Sequence, residues 1–362
     1  MRRVGVQYTK PGMVISQDVY DSYGNLIVTR GTRLTFDNTA ALTNLANGEV
    51  FVQDSRVDDV TATSMIPNRL EGMASRQLKK FVEDSITILR EGSGRKVNYA
   101  ELEKNIFAMI SCLFPMYFGE VNVCGCYSIK DYDYIHPVQV ASLSIVMGRQ
   151  MGMKEDELVK LGLAAALQNI GYIALSQDML NEPTRLTAIE LHEVQQHPQY
   201  GYLILKDNTS LPADVIETIY QHHERWNGKG YPRGLKKDQI NLHARIIAVA
   251  DVYYALVSRR PHRQSNLPNE AIEFIMAYSG DHFDPEVVKL FTRLVPLYPA
   301  GIMVKLNTGE LGIITDAKPG LIGRPNIRIC YDKDYKQLTN PYDIDLAESQ
   351  YQSKLVSEVI DY

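Results

Sequence analysis

A mainly α protein with a small β-rich region at each end is the fold class that this sequence predicts. Three observations carry it. Residues 130–297 repeat apolar side chains at helical spacing, the two ends alternate short apolar runs with turn signals, and the pattern changes at Pro67 and at Pro299-Ala-Gly301.

Within residues 1–66, segments 13–15 and 26–28 read as strands, separated by Asp21-Ser-Tyr-Gly24-Asn25 and closed by Gly31. From Pro67, Leu70, Met73, Leu78, Phe81, Ile86 and Leu89 loosely share one helical face up to Gly92-Ser-Gly94, so residues 67–129 are expected as a helical connector. Val138, Ala141, Leu143, Ile145 and Val146 predict one helix; Leu158, Leu161, Leu163, Ala164 and Leu167 predict the next. Pro212 opens a third with Val215, Ile216 and Ile219, which Gly228 and Gly230 end. Residues 244–257 are apolar on most sides, which marks a central helix. Asp284-Pro285 opens a late helix, with proline at the position where its missing N–H costs nothing. Residues 303–306 and 311–315 then form a hairpin around Asn307-Thr-Gly309, and residues 327–331 add a strand. The expected division is 1–66, 67–129, 130–297 and 298–346, with 347–362 as a tail.

Of 362 residues, 45% are apolar and 22% charged, which is ordinary for a folded chain. Lysine plus arginine (38) against aspartate plus glutamate (43) leaves −5, so no basic excess drives binding to nucleic acid or anionic lipid. No apolar run reaches the roughly 18 residues of a membrane helix. No apolar stretch follows Met-Arg-Arg, and a cytoplasmic protein is expected. Cys112, Cys124, Cys126 and Cys330 do not form a disulfide framework, and Cys124-x-Cys126 lacks the second ligand pair of a metal site.

Eight histidines are present. His222-His223-Glu224 stands at the end of a predicted helix, before Asn227-Gly-Lys-Gly230-Tyr231-Pro232. Adjacent helical positions project about 100° apart. The two imidazoles therefore suit two sites, or one ligand and one neighbouring group, better than one metal. Asp251 lies inside the most apolar helix, where an ionised carboxylate needs a partner or a cation. With His136 and His197-Pro198 these residues suit a borderline transition metal.

His222-His-Glu-Arg-Trp-Asn-Gly-Lys-Gly-Tyr-Pro232, Ala244-Arg-Ile-Ile-Ala-Val-Ala-Asp251 and Arg260-Pro-His-Arg263 resemble an HD-GYP domain. His136, His197-Pro198 and Phe283-Asp-Pro285 follow in the family's order. The resemblance covers residues 130–297. It implies an all-helical bundle of the HD phosphohydrolase type, whose active members hydrolyse cyclic di-GMP at two or three metals, often iron. The chain departs from the family pattern at decisive places. Gln168 and Asn169 replace the His-Asp pair, Tyr172 replaces a phosphate-holding lysine, and Tyr132 stands where three-metal members carry glutamate. Asn227 and Tyr254 replace two further aspartates. An Asn169 amide cannot bridge two cations. Four imidazoles and one carboxylate then set −1 against +4.

No catalytic residue is therefore assigned. His136, His197, His222, His223 and Asp251 remain as metal candidates, for no metal or at most one, iron or manganese. Arg260, Arg263, Gly230, Tyr231 and Pro232 are implied to contact nucleotide, because arginine's planar fork suits phosphate. Gly230, Tyr231 and Pro232 are also the loop for a diguanylate-cyclase (GGDEF) or other signalling partner. The expected function is a degenerate HD-GYP regulator that senses cyclic di-GMP or a related nucleotide, binds a signalling partner, or both. The alternatives are an active metal-dependent phosphodiesterase with a reduced site and a scaffold without ligand. A homodimer is left open, and His192, His243, His262 and His282 receive no role.

Overall fold

The computed structural model describes residues 1–44, 48–61, 66–92, 94–113, 131–176, 179, 187–258, 266–318, 321 and 323–360. At the N-terminal end, β1 (Arg2–Gly5) pairs antiparallel with β4 (Glu49–Val52), and β2 (Val19–Tyr20) pairs with β3 (Leu26–Val28). α1 (Phe36–Asn44) follows β3. Val4, Ile15, Val28, Leu42 and Val50 form a small core here. Residues 13–15, expected as a strand, make only isolated bridges, Val14 to Arg33 and Ile15 to Val52. The segment leaves a turn at Gly12 (φ 94°) and meets two different partners, so no continuous ladder forms.

The helical body comprises α2 (Asn68–Glu91), α3 (Ala100–Cys112), α4 (Tyr132–Gln150), α5 (Glu155–Leu167), α6 (Ala188–Val194), α7 (His197–Asn208), α8 (Ala213–Gln221), α9 (Leu242–Val257), α10 (Pro268–Ala277) and α11 (Pro285–Leu294). A 3₁₀ turn, Ile170–Ala174, follows α5. α4 is the axis: every residue from 135 to 148 is buried, which explains why its sequence, His136 and Gln139 apart, is apolar or small all round. α2, α5 and α9 pack around it. Gly92, in the left-handed region at φ 59°, ends α2 as its C-cap. Asp284 accepts the Glu286 N–H at 2.9 Å, with Pro285 at the first turn of α11.

Residues 67–129 are more than a connector where described. Leu78 and Phe81 of α2 and Ile106, Met109 and Ile110 of α3 belong to the same core as α4 and α5. An apolar face of this extent is stable only when covered. α8 also ends earlier than expected, at Gln221, with His222 as its cap residue.

The C-terminal end is a five-stranded antiparallel sheet of β5 (Met303–Leu306), β6 (Leu311–Asp316), β7 (Asn326–Tyr331), β8 (Gln337–Asp345) and β9 (Val356–Ile360), in the order β8-β7-β6-β5-β9. The expected tail at 347–362 thus supplies an edge strand, Val359 pairing with Val304. Val356 and Val359 pack on the sheet's core, and that burial holds the strand in place. The two β-rich ends meet: Val57 and Val60 share a core with Ala300, Met303, Ile313 and Cys330. Among the described residues, no helix is long and apolar enough to cross a membrane.

Candidate metal centre

The α5–α7 approach builds one wall of the centre. Gly171, in the turn after α5, lies so close to the His197 carbonyl and Gly201 that a Cβ would collide with both. Glycine there lets the first residue of α7, His197, sit fully buried beneath the end of α5. α8 contributes His222 at its cap, and His223 follows. One ligating nitrogen from each of His197, His222 and His223 lies within 4.8 Å of the others.

Backbone carbonyls fix the tautomers of two rings. His197 Nδ1–H donates to Val194 O at 2.8 Å, and His222 Nδ1–H donates to Ile219 O at 2.6 Å. A neutral imidazole carries one N–H, so each Nε2 is left as a lone-pair acceptor. These two nitrogens face each other at 3.2 Å. Two lone pairs at this distance repel unless a cation lies against both. Burial, with His222 close by, pushes His197 down to about 3. Burial also lowers His222, and it lowers His223 well below the usual imidazole range, aided by the other two rings. Three neutral imidazoles with a hydrogen-bonded outer nitrogen on two of them form a donor set that fits a borderline divalent ion.

His136 and Asp251 do not join this set. His136 Nε2 meets Asp251 Oδ1 at 2.8 Å, and the Gln168 side-chain amide donates to the same oxygen at 3.1 Å. Burial raises the Asp251 carboxyl, but the His136 hydrogen bond and the surrounding imidazoles outweigh it and hold the group below the usual carboxylate range. Asn169 caps the 3₁₀ turn beside Gln168. The centre is thus divided into three imidazoles and a His136–Asp251–Gln168 cluster.

Tyrosines collar both parts. Tyr231 stacks on His223 (centroids 4.8 Å), Tyr172 tilts against His197 (4.4 Å), and Tyr132 stacks on His136 (4.9 Å). Glu224 organises the Gly230-Tyr231-Pro232 loop: buried, it accepts the N–H groups of Arg233 at 2.8 Å and Leu235 at 2.9 Å. Gly230 passes directly over Glu224, leaving no room for a Cβ. Trp226 N–H donates to His282 O, and Arg245 lies over the Trp226 ring.

A cavity of about 270 Å³ opens beside the centre. His222, His223 and Asp251 line it together with Arg225, Phe274, His282 and Phe283. Phe274 and His282 had no sequence signal, since each is an unremarkable residue outside any motif. Arg260 and Arg263, with Cys124 and Cys126, lie outside the described residues.

Residues 128–287 match the model for the HD domain. The helical body is an HD domain of the HD-GYP kind. Residues 303–353 match a KOW domain associated with the HD domain, which accounts for most of the C-terminal sheet. The chain is 35% identical over 226 residues to a cyclic di-GMP phosphodiesterase of Pseudomonas aeruginosa, covering 62% of this chain and 54% of that protein. It is 39% identical over 160 residues to a cyclic di-GMP phosphodiesterase of Thermotoga maritima, 44% of each chain. It is 33% identical over 156 residues to a 3′3′-cGAMP-specific phosphodiesterase of Vibrio cholerae, 43% of this chain and 30% of the other. The chain therefore spans about half, or less, of the length of these relatives.

Proposed function

We propose that this HD-GYP protein is a degenerate member that binds a cyclic dinucleotide beside one metal ion and acts as a regulator. The observation that carries the reading is the division of the centre: Asp251 is engaged by His136 and Gln168, while the three imidazoles stand together without a bridging carboxylate among the described residues. Two-metal hydrolysis needs two cations held about 3.5–4 Å apart, and their mutual repulsion needs negative ligands between them. Asn169 offers a neutral amide at the position where the resemblance implies the bridging aspartate.

His197, His222 and His223 would hold the ion, which would supply a Lewis acid for one phosphate oxygen. The cavity takes the ligand. Its aromatic side, Phe274 and Phe283, suits the face of a purine, and Arg225 suits a phosphate oxygen. At about 270 Å³ it accommodates part of a dinucleotide rather than the whole. Arg260 and Arg263 are retained in this reading as phosphate contacts. The Gly230-Tyr231-Pro232 loop, fastened by Glu224, presents the exposed residues Lys229 and Arg233 to a GGDEF or other signalling partner.

Isothermal titration with cyclic di-GMP and with 3′3′-cGAMP, and chromatography of the same mixtures after incubation with iron or manganese, test the reading. Binding without linear dinucleotide or GMP is expected. Absence of binding to either compound removes the sensor. Steady release of product that disappears in His222→Ala favours the second reading, a one-metal phosphodiesterase, for which the oriented Nε2 pair is the supporting observation.

A further inference from the structure

We propose that Gln168 stands in for a metal ion: its amide, together with His136, occupies Asp251 and limits the chain to a single metal at the three histidines. The inference rests on the HD-GYP reading of the site and deepens it. Gln168 is the residue at which α5 ends, and it is 0% exposed. An ionised carboxylate only accepts hydrogen bonds, so the amide must present its NH₂ to Asp251. Its donation at 3.1 Å and that of His136 at 2.8 Å converge on one oxygen, Oδ1.

A cation at that oxygen would have to displace both N–H groups. Neither has a route to solvent, because His136 is 2% exposed and Gln168 is fully enclosed. The positive ends of two N–H bonds thus do for Oδ1 of this partly buried carboxylate what a divalent ion would otherwise do. The other end of the amide supports this assignment: Gln168 Oε1 is buried with no hydrogen-bond partner. Burying an unpaired carbonyl is unfavourable. The side chain is therefore placed for its donor end.

The test is metal content, by elemental analysis of the full chain purified without oxygen from iron- and manganese-supplemented cells, with circular dichroism to confirm folding. Wild type is expected to hold about one metal per chain. His222→Ala should lose it, while Asp251→Asn and His136→Ala should keep it. Restoring the ligand pair with Gln168→His and Asn169→Asp together should raise the content to about two. Should that double variant misfold, Gln168→Glu serves instead. It sets a second carboxylate against Asp251 and should draw in a second ion, detectable with Mn²⁺ by electron paramagnetic resonance.

About two metals in wild type would overturn the inference, as would loss of the single metal in Asp251→Asn. A folded double variant, or a folded Gln168→Glu, that stays at one metal would overturn the role of Gln168. Titration of cyclic di-GMP on the same preparations separates the two readings. Two metals with tight binding defeats this inference alone, and one metal without binding defeats the sensor alone.

Discussion

Glu224 is buried and Asp251 lines the cavity, and each is held by N–H groups that the chain brings from elsewhere. For Asp251 the donors are side chains of α4 and of the α5 end. For Glu224 they are backbone groups of the loop that it organises. That difference makes Glu224 the better place to test the loop. Glu224→Gln keeps one carbonyl acceptor but turns an NH₂ toward the other backbone N–H, leaving a buried donor unpaired. A loss of about 1–3 kcal/mol is expected in chemical denaturation. It should be accompanied by loosening of the Tyr231–His223 stack, seen as faster amide exchange across residues 230–235. Unchanged exchange there would mean that the loop is held by Trp226 and Asn227 instead.

The packing of α2 against α4 creates a titratable group outside the set of candidate ligands. Burial raises the Glu71 carboxyl to about 7, opposed only in part by a hydrogen bond with Ser142 of α4. The folded state therefore holds this proton more tightly than the unfolded chain does. Between the ordinary glutamate value and about 7, the native protein binds more protons, so stability falls as pH rises through that window. The contribution is fully present below the unfolded value and absent above about 7. The loss is at most about 3–4 kcal/mol, taking about 1.4 kcal/mol per unit. Melting temperature measured from pH 5 to pH 8 should fall in wild type and fall less in Glu71→Gln, with the two proteins closest at pH 5. Parallel curves would show that Glu71 is hydrated.

At the scale of the molecule, the N-terminal module is fastened to both neighbours. Gly72 of α2 packs on Gly24, whose Cα would lie 2.6 Å from a Cβ at position 72. Ser22 and Tyr23 hydroxyls donate to Asp131 at 2.5 and 2.6 Å, at the start of the helix that carries His136. Arg328 of β7 bonds both Asp59 and Asp343. Gly72→Ala meets backbone rather than a flexible side chain, so the turn at residues 21–25 must move away, at a cost of about 1–3 kcal/mol. Hydrogen exchange across residues 19–28 should rise while α4 and α5 stay protected. Uniform protection would mean that the helix shifts to accommodate the methyl.

Much of this architecture is legible locally. Helical spacing marks α4, α5 and α9, Asp284-Pro285 marks the start of α11, and glycine turns mark the first C-terminal hairpin, because periodicity and turn chemistry depend on near neighbours. The HD-GYP motif is likewise a run of adjacent residues. β1 and β4 pair across more than forty residues, and β9 pairs with β5 across about fifty, so neither shows in a window. The sequence by itself supplied the candidate ligand types, imidazoles and one carboxylate, and its resemblance to the family implied that Gln168 and Asn169 stand where a His-Asp pair is expected. Only the tertiary structure decided that three imidazoles converge while Asp251, 115 residues from His136 and 83 from Gln168, is bound by both. The physical reason is reach: a hydrogen bond depends on where helix packing sets two side chains to within a few tenths of an ångström, and no spacing along the chain encodes that distance.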